Sequence, residues 1–164
     1  YLTDDVDEFA LQMLHSFEDK EFKSVSAGDL GFEDEKKADE AADKENEPLL
    51  TAMQTALDGK VKSVKVSTRL KTHPVCLSSE GALSIEMEKV LSSMPNAGGM
   101  KAQRVLELNA AHPIFAKLQA LQKDGDEEKL SEYAKLLYDQ ALLIEGLPVE
   151  DPVAFSARIC ALME

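Results

Sequence analysis

Three histidines (His15, His73, His112) and two cysteines (Cys76, Cys160) are the side chains best suited to acid–base, nucleophilic or metal chemistry, and their spacing gives them little to do together. His73 and Cys76 form a single H-x-x-C, whereas a zinc site needs a second pair. The cysteines lie 84 positions apart with no paired spacing, which reads as two small apolar residues in a reducing compartment. "NAGGM" offers a flexible turn without the Lys-Ser/Thr that a phosphate cradle requires. No G-x-S-x-G elbow occurs, and 31 Asp and Glu residues make carboxylate pairs too common for any one to be singled out. The residues therefore offer no catalytic, cofactor-binding or metal site, and the chain itself is not expected to be an enzyme.

The remaining chemistry is apolar contact. Leu83, Met87, Val90, Leu91 and Met94 fall on one stripe of a helix spanning Leu83 to Met94. They are either core or an exposed stripe for varied partners, a role that unbranched methionine suits. Near the end of the chain, Leu130, Ala134, Leu137, Ala141 and Ile144 make one helical face, and Tyr133, Leu136 and Leu143 widen it. A last helix begins at "EDP", with Asp151 as its cap and Phe155, Ile159, Leu162 and Met163 on its inward edge. A helix apolar that far round needs neighbours on more than one side. Either the pair closes an intramolecular bundle, or two chains supply two helices each to a four-helix interface.

Other segments must position these helices. Residues 1 to 28 read as strand end, helix and strand: Asp4 or Asp5 precedes Val6, Phe9, Met13 and Leu14 at helical spacing, and "KEFKSVS" alternates. Residues 29 to 47 hold nine acidic residues against three lysines, so they form a solvated linker or a frayed helix. Pro48 opens a helix carrying Leu49, Leu50, Met53 and Leu57, with Gly59 at its end. "SVKVSTRL" alternates as a strand with one wet face, "PVCLS" reads as a more buried strand, and Val105 to Leu108 as a third. In "LELNAAHPIF", Asn109 turns the chain and Pro113 starts a helix carrying Ile114, Leu118 and Leu121. Asp126 is then placed to cap the wide helix, with Glu127 and Glu128 against its dipole. The fold class is α+β: a small three-stranded sheet packed with helices, ending in a helix pair that forms an intermolecular four-helix bundle.

At 164 residues with 44% apolar side chains, the chain suffices for one ordinary cored domain, or for one domain with a fragment attached. A net charge of −13 repels phosphate, so neither nucleic acid nor an anionic membrane is an expected partner. No apolar run is long enough to span a bilayer and no signal peptide opens the chain, which points to the cytoplasm. A first residue of Tyr1 rather than Met is expected of a piece of a longer protein.

"LELNAAHP" followed by "LLYDQALLIEGLPVEDPVAFSARI" resembles the C-terminal region of the heat shock protein 90 chaperones, in their bacterial form. "RLKTHPVCL" resembles the segment that precedes these blocks, and "YLTDDVDEFALQMLHSFEDKEFKSVS" the end of the family's middle domain. Ala110 and Ala111 depart from the Pro and Asp common in the family. The resemblance spans nearly the whole chain, in order. It implies that residues 1–28 end the middle domain, 29–47 form an acidic linker and 48–164 the dimerisation domain of an ATP-dependent clamp.

It further implies a homodimer formed by residues 130–145 and 151–163. The interface would draw on Leu130, Tyr133, Ala134, Leu137, Ala141, Ile144, Phe155, Ile159 and Leu162, with Leu137, Ala141, Phe155 and Ile159 carrying most of it. Client proteins would be touched by Leu83, Met87, Val90, Leu91 and Met94. ATP and magnesium would belong to an N-terminal domain outside this sequence. The alternatives to a clamp hinge are a self-contained acidic scaffold that dimerises without any ATPase, and a hydrolase that no motif supports.

Overall fold

The computed structural model describes residues 7–22, 33–67, 69–81, 83–93 and 101–163. In chain order the elements are α1 (Asp7–Leu14), β1 (Ser16–Phe17), β2 (Lys20–Glu21), α2 (Glu33–Glu45), α3 (Glu47–Ala56), β3 (Ser63–Ser67), β4 (Val75–Glu80), α4 (Ile85–Ser93), β5 (Gln103–Asn109), α5 (Pro113–Asp124), α6 (Glu127–Ile144) and α7 (Pro152–Ala161). The class is α+β, as the residue patterns imply. Residues 1–31 with 78–104 make one unit and residues 32–77 with 105–164 a second.

The three-stranded sheet runs in the order β3-β5-β4. β3 and β5 are parallel, with Val64 opposite Leu106 and Val66 opposite Leu108. Asn109, the last residue of β5, donates its backbone N–H to the Pro74 carbonyl just ahead of β4 (2.9 Å), so β4 runs antiparallel to β5. Val64, Val66, Val75, Leu77, Val105, Leu106 and Leu108 are all buried. Both faces of β5 are covered from Val105 to Asn109, so Glu107 and Asn109 are buried along with Val105, Leu106 and Leu108.

"LELNAAHPIF" closes the sheet and opens the helical layer. The Asn109 amide donates to the His73 carbonyl (2.9 Å) and accepts the Ala111 N–H (2.9 Å), so a buried polar side chain is satisfied while the chain turns. His112 Nδ1 accepts the Ile114 N–H (3.2 Å), capping α5, and Pro113 sits where no backbone donor is missed. At the far end Gly125 takes φ 72°, the left-handed region that favours glycine, and lets the Asp126 N–H return to the Leu121 carbonyl (3.0 Å). Asp126 then accepts the Lys129 N–H and begins α6. α5 and α6 are thus neighbours by local rules alone. In the second unit α6 packs on α3 and α5, and α3 in turn on β3.

The acidic stretch is ordered as α2 from Glu33, the helical alternative of the two its composition allows. It packs along β3, the edge strand, and the Asp43 Oδ1 accepts the Val66 N–H at 2.6 Å. That acceptor occupies part of an edge that would otherwise invite another strand. In the first unit β1 and β2 pair through Ser16 with Glu21 and Phe17 with Lys20, and Glu18 and Asp19 both take positive φ in the turn. α4 begins at Ile85 rather than Leu83, because Ser84 Oγ accepts the Met87 N–H (3.0 Å) and caps it.

Burial pushes the Asp43 carboxyl above its ordinary value of 3.8, against the opposing pull of the Val66 N–H and Lys65, while Asp39 and Glu107 push it further up. A raised folded-state value means the linked stability is fully present below pH 3.8 and is lost as pH rises through that higher value. Asp43→Asn, which keeps an acceptor and removes the charge, should leave stability at pH 7 unchanged or higher and flatten this pH dependence. Asp43→Ala should cost about 1–3 kcal/mol by stranding the Val66 donor. Urea denaturation of the pair from pH 4 to 8 checks both; equal losses for the two variants would show that the bond carries nothing.

Candidate functional site

α6 combines strong end signals with an unusually wide apolar surface. Asp126 and the first-turn acids Glu127 and Glu128 fix its start. The Lys129 backbone N–H holds the exposed Asp126 carboxyl below its ordinary value. Its end is closed by Gly146 at φ 70° and a 2.8 Å bond from the Leu147 N–H to the Leu142 carbonyl, with Leu147 buried.

The residues expected at a two-chain interface divide into two sets. Leu130, Ala134, Leu137 and Ala141 are buried in the chain's own core, with Tyr138 and Leu142 beside them. Tyr133, Phe155 and Ile159 are half-buried, while Ile144 and Leu162 are exposed. Helical period places a residue on a stripe but does not say whose surface covers it. For Leu137 (5% exposed) and Ala141 (0%), α3 and α5 already do so, and neither retains surface to offer a partner.

The apolar surface left over comprises Leu143 (52% exposed) and Ile144 (42%) at the end of α6, and Val153 (79%), Leu162 (50%) and Met163 (79%) on and beyond α7. Val153 and Leu143 were absent from the expected interface. The signal available for Val153 was its place directly after the capped "EDP", ahead of Phe155. α7 itself has no fully buried side chain.

α7 is fastened to α6 by charge. Asp151 Oδ1 accepts the Val153 and Ala154 N–H groups (3.1 and 2.9 Å) and caps the helix. Arg158 Nε donates to Glu132 Oε2 and its Nη1 to Asp139 Oδ2, both at 3.0 Å. Lys135, through its hydrogen bond and charge, with Arg158 adding to it, holds Glu132 below its ordinary value. Burial raises Asp139, with Arg158 and Lys60 opposing and Glu150 and Asp151 adding to the rise. Lys60 pairs with Glu150 (2.9 Å) and lies 5.7 Å from the centroid of the Tyr138 ring.

The other ionisable residues act structurally. Glu107, on the buried strand β5, accepts from Arg69 Nη2 at 3.2 and 3.1 Å, and the Cys76 thiol lies 3.9 Å from the same carboxylate. Burial, with Glu107 beside it, pushes that thiol up to about 12, so Cys76 stays protonated and unreactive at neutral pH. His73 is exposed while Cys76 is turned to Glu107, and His112 is committed to the α5 cap. Among the described residues no group of three His, Cys, Asp or Glu side chains could hold a metal. No helix there is long and apolar enough to cross a membrane.

In the first unit, α4 buries Ile85 and Val90. Its Glu88 is buried too, accepting the Ala102 N–H (2.9 Å) and pairing with Arg104. Of the apolar stripe expected to meet clients, Val90 is core and Leu83, Met87 and Leu91 are half-buried; Met94 lies outside the described residues.

The last two helices are thus capped, joined by charge, and left with surplus apolar surface beside a small mixed sheet. Across residues 1–164 the chain matches the family described as Hsp90 protein, and it belongs to that family. It is 58% identical over 164 residues to the chaperone protein HtpG of Halalkalibacterium halodurans, covering 99% of this chain and 26% of that protein. Its likeness to HtpG of Clostridium acetobutylicum is 55% over 164 residues, and to that of Clostridium perfringens 56% over 165, covering 100% of this chain and 26% of the protein in each case. The chain thus spans about a quarter of the length of these relatives.

The division of α6 into a covered and an uncovered face is measurable. In denaturant unfolding at dilutions where each chain stands alone, Leu137→Ala should cost about 2–5 kcal/mol, whereas Val153→Ala should stay within about 0.5 kcal/mol. Comparable losses at both positions would contradict the burial assigned here.

Proposed function

We propose that this chain is the dimerisation segment of an HtpG-like, ATP-dependent chaperone, holding the two protomers of a clamp together at one end. The observation that carries the reading is the surplus apolar surface of Leu143, Ile144, Val153, Leu162 and Met163, gathered on the last two helices. The family membership supports it independently. In the dimer, α6 and α7 of each chain form a four-helix bundle, with half-buried Phe155 and Ile159 completing the contact. Such an obligate interface buries on the order of 2,000 Å² or more.

Its contribution to the clamp is a matter of concentration. Joining two chains at one end makes the meeting of their other domains intramolecular, at an effective concentration on the order of millimolar. ATP and magnesium act elsewhere in the longer polypeptide, and this chain supplies no catalytic group to them. α4 contributes to holding unfolded or partly folded clients through Met87 and Leu91, the stripe residues that its own unit leaves half-covered.

Sedimentation velocity tests the dimer. The chain should sediment at twice its 18.0 kDa mass down to low micromolar concentration. The double variant Val153→Glu with Leu162→Glu should raise the dimer Kd at least about a hundredfold, because it buries charge without partners, with unchanged circular dichroism. A monomeric wild-type chain at about 100 µM, far above the Kd of an obligate dimer, would overturn the reading, as would a variant that dimerises normally.

A further inference from the structure

α7 presents the most exposed apolar residues of the helix pair, yet it has no fully buried side chain to fix its angle on α6. Interdigitated cores set helix crossings elsewhere in this unit, and α7 lacks that restraint. One polar device stands in its place. Glu132 and Asp139 are seven residues apart on α6, two helical turns or about 10 Å along one face. A single guanidinium, that of Arg158, reaches both at 3.0 Å through two different nitrogens.

We propose that Arg158 is the positioning residue of the dimer, a two-point clamp that fixes the angle and axial register of α7 on α6 and so presents Val153 and Leu162 to a second copy of this chain. The inference rests on the dimeric reading above and adds to it the residue that governs the interface without having to touch the partner.

The chemistry suits arginine alone. Its planar fork donates from two separate nitrogens in fixed directions, whereas the three donors of a lysine ammonium radiate from one nitrogen, so both carboxylates would have to converge on a single point. Both ends of the clamp are prepared. Lys135 holds the Oε1 of Glu132 at 2.9 Å, leaving Oε2 for Arg158. Asp139 is buried and faces Arg158 from α7, Lys60 from the turn after α3, and Glu150 and Asp151 from the α6–α7 connection. Lys60 is itself tied to Glu150, so the connection and the helix it leads into are held from both sides. Arg158 and Asp139 are 21% and 8% exposed at their side chains, which shields that end of the clamp from the screening that makes surface pairs weak, while Glu132 at 48% is the more screened end.

The test compares Arg158→Lys and Arg158→Met with the unaltered chain, using two readouts. Sedimentation gives the dimer Kd, expected to rise about tenfold or more in each variant, as loss of charge-assisted bonds implies. Pulsed electron paramagnetic resonance between nitroxides on Ser156→Cys, in a Cys160→Ser background, reports the distance between the two α7 helices. A narrow distribution in the parent chain should broaden in both variants, while circular dichroism stays unchanged. Asp139→Asn should weaken the dimer, and Arg158→Met on top of it should add less than it does alone, because only the Glu132 point of the clamp is then left to lose. Should either arginine variant lose its fold, Glu132→Gln, at an exposed carboxylate, carries the same test with a smaller rise in Kd. An Arg158→Met dimer with the parental Kd and distance distribution overturns the clamp while leaving the dimer intact; a parent chain that stays monomeric overturns the reading on which it rests.

Discussion

α6 is apolar around too much of its circumference for one neighbour to cover it. Its inner stripe (Leu130, Ala134, Leu137, Tyr138, Ala141) is buried against its own chain, where α3 and α5 pack on it. Among the described residues α7 packs on α6 as well, a helix of ten residues with no fully buried side chain. A helix so short is marginal unless packed. What holds it is a cap at Asp151, a proline at its start, and Arg158 reaching to two carboxylates of α6. The second unit therefore ends in a layer whose polar bonds are made within the chain and whose apolar surface is not used up by it.

The same division of labour recurs throughout the second unit. Buried charge is spent on joining elements far apart in sequence: Arg69 to Glu107 across the sheet, Asp43 to the β3 edge, Arg158 to Asp139 between the last two helices. Removing one member of such a pair leaves the other buried without a partner, which costs more than the pair contributes. Apolar burial gives the bulk of the stability, and these bonds decide which edges and angles result. The proposed dimer needs that second property, because a partner reads angle and register as well as area.

Much of this was legible in the residues. Pro48, Pro113 and Pro152 each mark a helix start, and Asp126 and Asp151 are the caps their positions imply; Gly59, expected to cap α3, lies beyond its actual cap at Leu57. The alternation of Val64 and Val66 predicts a strand with one wet face, and "PVCLS" a largely buried one, as found, whereas Val105 to Leu108, read as alternating, proves buried on both faces as the centre strand. Three features were not legible, for a shared reason. The acidic segment packs on β3, with Asp43 accepting the Val66 N–H 23 positions away, and composition cannot foresee a partner at that distance. Glu88 and Glu107 are buried because Arg104 and Arg69 meet them. The wide stripe of α6 shows that two neighbours are needed, but period alone does not assign the inner face to α3 and α5 and the outer to something else.

The central claim is that Val153, Leu143, Leu162 and their neighbours are exposed only until a second copy covers them. Hydrogen–deuterium exchange of α7, measured across a hundredfold range of chain concentration, tests it most directly. Backbone protection over Pro152–Ala161 should rise with concentration while α3 and α5 remain unchanged. Exchange in α7 that is independent of concentration would mean that no second copy covers this surface, and the account given for the two helices would fail.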